Sequence, residues 1–297
     1  METKHDMKAI LGEDFFKEEV RCDYLITAEM KRVFAVLMDL YLTFAEICEK
    51  YNLRYYAIFG FLLGAIRHKG FIPWDDDLDV AMPREDYNKF MEIAPRELTF
   101  PYFVRSPYTD PNCFYSYIVI LNETTSFIPK IFKNNSFKKG IPMDIFPLDY
   151  CNLDTYDDDR AQIYEHIMRC STWMKRGIEG LSDRQMKNFE RYNTDKPLED
   201  WEAIQRIASN PKYFGGDYLA TSVLTGFDKE KLIFPADAFN DSLSMPFETI
   251  TVKVPSGYEK LLVKSYGDWK SYPPIEERGK RNESIIFDPD KSYLDYE

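Results

Sequence analysis

From Met30 onward, apolar residues return every third or fourth position: Val33, Phe34, Leu37, Leu40, Tyr41, Phe44, Ile47 and Cys48. That period puts them on one face and predicts an amphipathic helix over 28–50, packed on a core. Tyr55 to Phe59 then reads as a short buried strand that ends at Gly60. Phe61–Arg67 suits a helix, which Gly70 breaks. Leu78, Val80 and Met82 alternate with Asp77, Asp79 and Ala81, the two-residue period of a strand. Pro83 stops it ahead of a helix over roughly 84–93. Further strands are predicted at 102–105, 115–121, 143–146 and 247–254. The stretch "SGYEKLLVKSYGDW" predicts a short helix ending at Gly267.

Near Asp154 the composition shifts toward charged, helical patterning. The pattern predicts a helical subdomain or lid over about 154–210. The chain then divides into an N-terminal helical segment (1–52) packing on the core, a main domain (53–275) and an irregular tail (276–297). The class is α+β, a mixed sheet flanked by helices with a helical insertion.

Composition narrows the function. The 297 residues are 44% hydrophobic and 16% aromatic, enough for a sizeable core and too aromatic for disorder. A net charge of −12 argues against nucleic acid as a partner. No secretory h-region and no run of 18 apolar residues is present, so the expected location is cytoplasmic with no transmembrane segment. Cys22, Cys48, Cys113, Cys151 and Cys170 form no CxxC pair and read as reduced thiols. His5, His68 and His166 are too scattered for a histidine zinc site.

The chemistry concentrates in "FIPWDDDLDVAMP", Phe71 to Pro83. On an extended strand Asp75, Asp77 and Asp79 would share one face, ~6.5–7 Å apart. Carboxylates massed on one buried face need a cation or raised pKa values. A hard divalent ion with oxygen ligands, Mg²⁺, answers that need. Asp76 is expected to face the other way. The alternative is a solvated acidic turn with no ligand. Two neighbours favour the metal: Gly60 sits at a strand-to-helix turn where backbone N–H groups can meet a phosphate, and Asp144 is a lone acid in the apolar stretch "PMDIFP". Asp144 would take a proton from an attacking hydroxyl or help hold a second ion.

The order Gly60, Asp77 and Asp79, then Asp144 resembles the nucleotidyltransferase superfamily that includes DNA polymerase beta. "GFLLGAIRHKGFIPWDDDLDVAMPREDY", "GIPMDIFPLD" and "YGDWKSYPP" together resemble the LicD family, which also contains the fukutin-related proteins. The likeness covers roughly 53–275. It implies a nucleotidyltransferase-type fold and transfer of a phosphorylated alcohol, foremost phosphocholine, from a CDP-alcohol donor to a sugar hydroxyl of a teichoic acid or lipopolysaccharide glycan. CMP would be released, and a lipid-linked acceptor would bring peripheral contact with the inner face of the membrane. Carried over by residue, Asp75, Asp77 and Asp79 become Mg²⁺ ligands, for one ion or two. Asp77, Asp79 and Asp144 become the catalytic acids, and Gly60 holds the diphosphate. Arg67, His68 and Lys139, which sit within the family-like blocks, are the foremost candidates for further phosphate contacts, with Arg84, Lys138, Arg278, Lys280 and Arg281 behind them; the alternative for each is an ordinary surface charge, and for His68 a hydrogen-bonded histidine. Trp74 would stack on a base, line a cation site or simply pack in the core. A histidine expected after "YGDW" is missing, which leaves the acceptor open. Competing readings are a transferase acting on an NTP with pyrophosphate release, and a silent nucleotide- or glycan-binding module.

Overall fold

The computed structural model describes residues 2–178, 181–221, 229–279 and 284–296. In chain order it runs through α1 (Met7–Leu11), the hairpin β1 (Glu19–Arg21) and β2 (Tyr24–Ile26), α2 (Ala28–Lys50) and β3 (Tyr56–Ala57). Next come α3 (Phe59–Leu63), β4 (Asp79–Pro83), α4 (Arg84–Glu97), β5 (Tyr102–Arg105), β6 (Ile118–Asn122), β7 (Ser126–Pro129) and β8 (Ile141–Cys151). Three helices follow: α5 (Leu153–Met174), α6 (Asp183–Tyr192) and α7 (Pro197–Ala208). The last elements are β9 (Tyr218–Ala220), β10 (Ile233–Pro235), the hairpin β11 (Ser242–Phe247) and β12 (Ile250–Pro255), α8 (Tyr258–Tyr266) and β13 (Ser284–Asp288).

Helix α2 has the bounds its periodicity predicts. The Thr27 side chain accepts from the Met30 N–H and caps it, a contribution of about 1 kcal/mol. Its buried stripe, from Val33 to Cys48, packs over β6 and β8. Each fully buried large side chain contributes roughly 1.5–3 kcal/mol, so this helix is anchored by packing more than by propensity.

The central sheet is mixed and runs β10-β9-β8-β4-β3, with β6 also paired to β8, and β5 to β6. Strands β4 and β8 are parallel, with Asp79 opposite Asp144. Strand β8 pairs with β6 through 141–145 and with β9 through 149–151. It is longer than the expected 143–146. The tail was expected to be irregular, yet β13 pairs antiparallel with β7.

Helix α3 continues into a π-helical turn, Gly64–His68, which ends at Lys69 in the left-handed region (φ 57°). No helix among the described residues is long and apolar enough to cross a membrane.

Candidate active site

Four segments converge at the carboxyl-rich turn: the start of α3, the turn Phe71–Leu78, the start of β4 and the middle of β8. The expected strand over Asp75–Asp79 is not what forms. Regular pairing begins only at Asp79 against β8 and at Val80 against β3. Before it, the Asp75 N–H donates to the Ile72 carbonyl at 3.0 Å and closes a turn. Strand alternation holds only within a ladder. Asp76 therefore does not face away: Asp75, Asp76 and Asp77 each place a carboxylate oxygen within 4.8 Å of the others. Three oxygens at that separation suit a hard cation.

Gly60 sits against this cluster. A Cβ there would lie 2.4 Å from Asp75 Oδ2 and 3.9 Å from Asp77 Oδ1. The glycine thus makes room for a carboxylate against the first turn of α3. Its own φ is unremarkable; Phe59 before it takes the left-handed conformation (φ 51°) that turns β3 into α3.

Asp144 lies across the ladder from Asp79. Burial, then the nearby Asp77 charge, push its pKa up to about 7, against the opposing pull of the Arg105 guanidinium and a hydrogen bond from the Tyr117 hydroxyl. The carboxyl is set up to hold a proton near neutrality. Arg105 and Tyr117 were not singled out from the sequence. Arg105 lies opposite Val119, and Val119 opposite Asp144, so Asp79, Asp144, Val119 and Arg105 form one row across four strands. Arg105 is buried between the Tyr115 and Phe137 rings and donates from Nη1 to the Lys138 carbonyl at 2.6 Å. The only sequence signal was a charged residue closing the apolar strand "YFVR".

Two cavities adjoin the turn and share the wall formed by Trp74 and Asp75. The larger, about 380 Å³, lies between Gly60, Arg67 and the 266–279 segment. The smaller, about 210 Å³, lies between the turn and the β2–α2 junction.

Arg67 lines the larger cavity. Its Nη1 donates to the carbonyls of Trp269 (2.8 Å) and Ser271 (2.9 Å), and its Nε to His68 Nε2 (3.0 Å). Because Nε2 accepts, His68 carries its hydrogen on Nδ1, which faces Cys22 Sγ at 3.8 Å. Burial, then Arg67 and Arg21, lower the His68 pKa to about 4, so the ring is neutral. Lys139 is buried, donates to the Lys133 carbonyl at 3.2 Å and lines neither cavity.

The lesser candidates scatter. Arg84 is buried in a pair with Asp149, and Lys138 pairs with Glu123. Arg278 lies over the Trp74 ring, 4.5 Å from its centroid, and donates to the Cys22 carbonyl at 2.6 Å. Trp74 is also edge-on to Tyr24, His68 and Tyr272. Lys280 and Arg281 fall outside the described residues.

Residues 52–190 match the family model described as LicD/FKTN/FKRP, nucleotidyltransferase domain. The chain is 27% identical over 261 residues to the lipopolysaccharide cholinephosphotransferase LicD of Haemophilus influenzae, covering 79% of this chain and 89% of that protein. An uncharacterized protein of Rickettsia typhi is 47% identical over 51 residues, 17% of this chain and 16% of that protein. A Rickettsia prowazekii protein is 45% identical over 51 residues, 17% of this chain and 19% of that one. Residues 52–190 are thus a domain of the LicD family, and the likeness to a cholinephosphotransferase runs well beyond them.

Proposed function

We propose that this protein is a Mg²⁺-dependent transferase with a nucleotidyltransferase-type core, moving a phosphorylated alcohol, foremost phosphocholine, from a CDP-alcohol to a sugar hydroxyl of a surface glycan. The observation that carries the reading is the clustering of Asp75, Asp76 and Asp77 next to β4 and β8, which bear the Asp79–Asp144 pair, with Asp75 on the wall of a cavity that Arg67 also lines. The likeness to a cholinephosphotransferase supports the choice of donor.

The ion fits the residues present. A turn gathers three carboxylates, and Gly60 supplies the space that lets Asp75 join them. Asp75, Asp76 and Asp77 would hold it, with Asp79 at the start of β4 as a further oxygen donor. When bound, Mg²⁺ offsets the negative charge that builds on the leaving phosphate.

The chain's own groups do the rest. Asp144, held by the Tyr117 hydroxyl, accepts the proton of the acceptor hydroxyl. The hydroxyl oxygen forms a bond to the phosphorus of the phosphoalcohol. The anhydride P–O bond breaks, and CMP leaves with its electron pair. Arg67, fixed by two carbonyls, presents positive charge to the donor's phosphates.

Purified protein with Mg²⁺, CDP-choline and a glycan acceptor should release CMP. Asp77→Ala and Asp79→Ala should abolish release, and Asp144→Asn should slow it about 10²–10⁴-fold, the usual worth of a general base. CMP release equal to that of the Asp77→Ala control would sink the reading. Pyrophosphate release from CTP or ATP in its place would assign the site to nucleotidyl transfer.

A further inference from the structure

The β11–β12 hairpin has one covered edge and one open edge. Its strands pair in unbroken register from Ser242–Pro255 to Phe247–Ile250. Just beyond the ladder the Ser256 N–H donates to the Asp241 carbonyl at 2.9 Å, so Asp241–Ser256 is a hydrogen-bonded pair. Antiparallel alternation then spends the backbone of Leu243, Met245 and Phe247 on β12. It turns the N–H and C=O of Ser242 and Ser244, and the C=O of Pro246, the other way. The covered edge has the same phase: Lys253, opposite Ser244, donates its N–H outward to the Tyr41 hydroxyl of α2 at 3.3 Å. Among the described residues, Ser242, Ser244 and Pro246 make no hydrogen bond outside the ladder. All three are exposed, as is Leu243, and Met245 is half-buried. Exposed edges are ordinarily blocked by charge, a bulge or a covering element. The strand "SLSMPF" carries no charge, in a chain that is 30% charged, and has no bulge. Its one obstacle is Pro246, which has no N–H to give.

We propose that β11 pairs antiparallel with β11 of a second copy of this chain, about a two-fold axis at Ser244, to make one four-stranded sheet. The strand is complementary to itself in that register. The two Ser244 residues exchange two backbone hydrogen bonds, and each Ser242 N–H reaches the Pro246 carbonyl opposite, so the proline is asked only to accept. On one face each Leu243, 40% exposed, lies across from Met245 of the other copy; the other face brings together only serine and proline. Each copy carries a net charge of −12, which a charged contact would have to overcome, and no charge lies along this one. The two Asp241 residues flanking it stand about 20 Å apart at ~3.4 Å per residue, beyond a Debye length. Six residues a side are fewer than the roughly 20–30 of a standard interface, so the dimer is reversible, with a dissociation constant in the micromolar range. The hairpin tip, Glu248, accepts from the Phe71 N–H at 3.0 Å, so a second copy would brace the segment that leads to the aspartates. The pairing does not depend on the transferase reading.

The test is sedimentation velocity on the 297-residue chain from about 1 to about 100 μM, a range that brackets a micromolar dissociation constant. The parent should pass from monomer to dimer. Ser244→Glu sets two carboxylates against each other at the axis and should raise the dissociation constant tenfold or more. Thr251→Glu, the same charge at an exposed position of β12, should change it less than twofold. Hydrogen exchange on the parent needs no variant: the Ser242 and Ser244 amides should exchange at least tenfold more slowly at the top of the concentration range than at the bottom. A parent that stays monomeric, a dimer that Ser244→Glu leaves intact, or exchange at Ser242 and Ser244 that ignores concentration overturns the proposal. Should Ser244→Glu melt below the parent, the exchange measurement decides.

Discussion

Gly60 owes its place to the carboxylate it faces. Any side chain there would meet Asp75 Oδ2 at 2.4 Å and push it out of the cluster. Gly60→Ala should weaken Mg²⁺ binding by about 10–100-fold, the usual cost of disturbing a group that orients a ligand, while the melting temperature stays near the parent's. Calorimetric titration measures it; unchanged affinity would mean Asp75 is not a ligand. Asp144 makes a pH prediction. Its folded pKa, about 7, lies above the ordinary 3.8, so the folded chain holds the extra proton. Its contribution to stability is present below about pH 4 and is lost as pH rises through about 7. The stability of Asp144→Asn relative to the parent should therefore climb across that window in metal-free buffer, and Mg²⁺ should flatten the climb. Chemical denaturation at several pH values decides it. At this scale the sequence pointed to the turn where Asp75 and Asp77 do lie close together. It was wrong about Asp76, because alternation was extended into a turn that has no ladder.

Among the elements, α2 was fully legible because its cap and stripe are local. Strand β8 was not. The strand expected at 143–146 stops just before Pro147, and proline lacks the N–H a central strand donates. It is accommodated because it falls where one edge of β8 has left β6 and not yet met β9. The strand β13 was missed because its partner, β7, lies far away in sequence. Arg84 looked like a phosphate ligand and is instead a joint between elements. From the start of α4 it donates to both oxygens of Asp149 on β8, at 2.5 and 2.9 Å, and to Gln205 on α7 at 2.7 Å. Both ends of the ion pair are buried. Arg84→Met removes the guanidinium that offsets the buried Asp149 charge and should cost about 3–5 kcal/mol in urea denaturation. Adding Asp149→Leu should recover a substantial part. A loss near zero in the single variant would show that the pair does not bind the helical segment to the sheet.

In the molecule as a whole, the turn that carries the aspartates is held by segments from both ends of the chain. Glu248, at the tip of the β11–β12 hairpin (φ 49°), accepts from the Phe71 N–H at 3.0 Å and from Arg21 Nη1 at 2.7 Å, while its own N–H donates to the Lys69 carbonyl at 2.7 Å. Gly70 leaves the room this requires, since a Cβ there would sit 2.1 Å from Glu248 Oε1. Glu248→Ala should cost about 2–3 kcal/mol, because hydrogen bonds to a charged group are lost. For a chain of this size that is on the order of 3–5 °C in Tm, read by calorimetry. None of this was legible in the sequence: Arg21, Gly70 and Glu248 carry no periodic or motif signal that links them. The same holds for the cavity wall at 24–30, whereas the wall at 266–279 overlaps the "YGDWKSYPP" block that the sequence did single out.

The parallel pairing of β4 with β8 bears on how such a chain can change length. Asp79 and Asp144 are aligned by ladder hydrogen bonds, not by the chain that joins them. Loops within residues 84–140 can lengthen at small entropic cost, since closure entropy grows only with the logarithm of length. One residue inserted within 79–83 or 141–148 would instead turn a carboxylate to the opposite face. Insertional tolerance across this domain should therefore be sharply uneven, with intolerant windows at the paired strands and permissive loops between them.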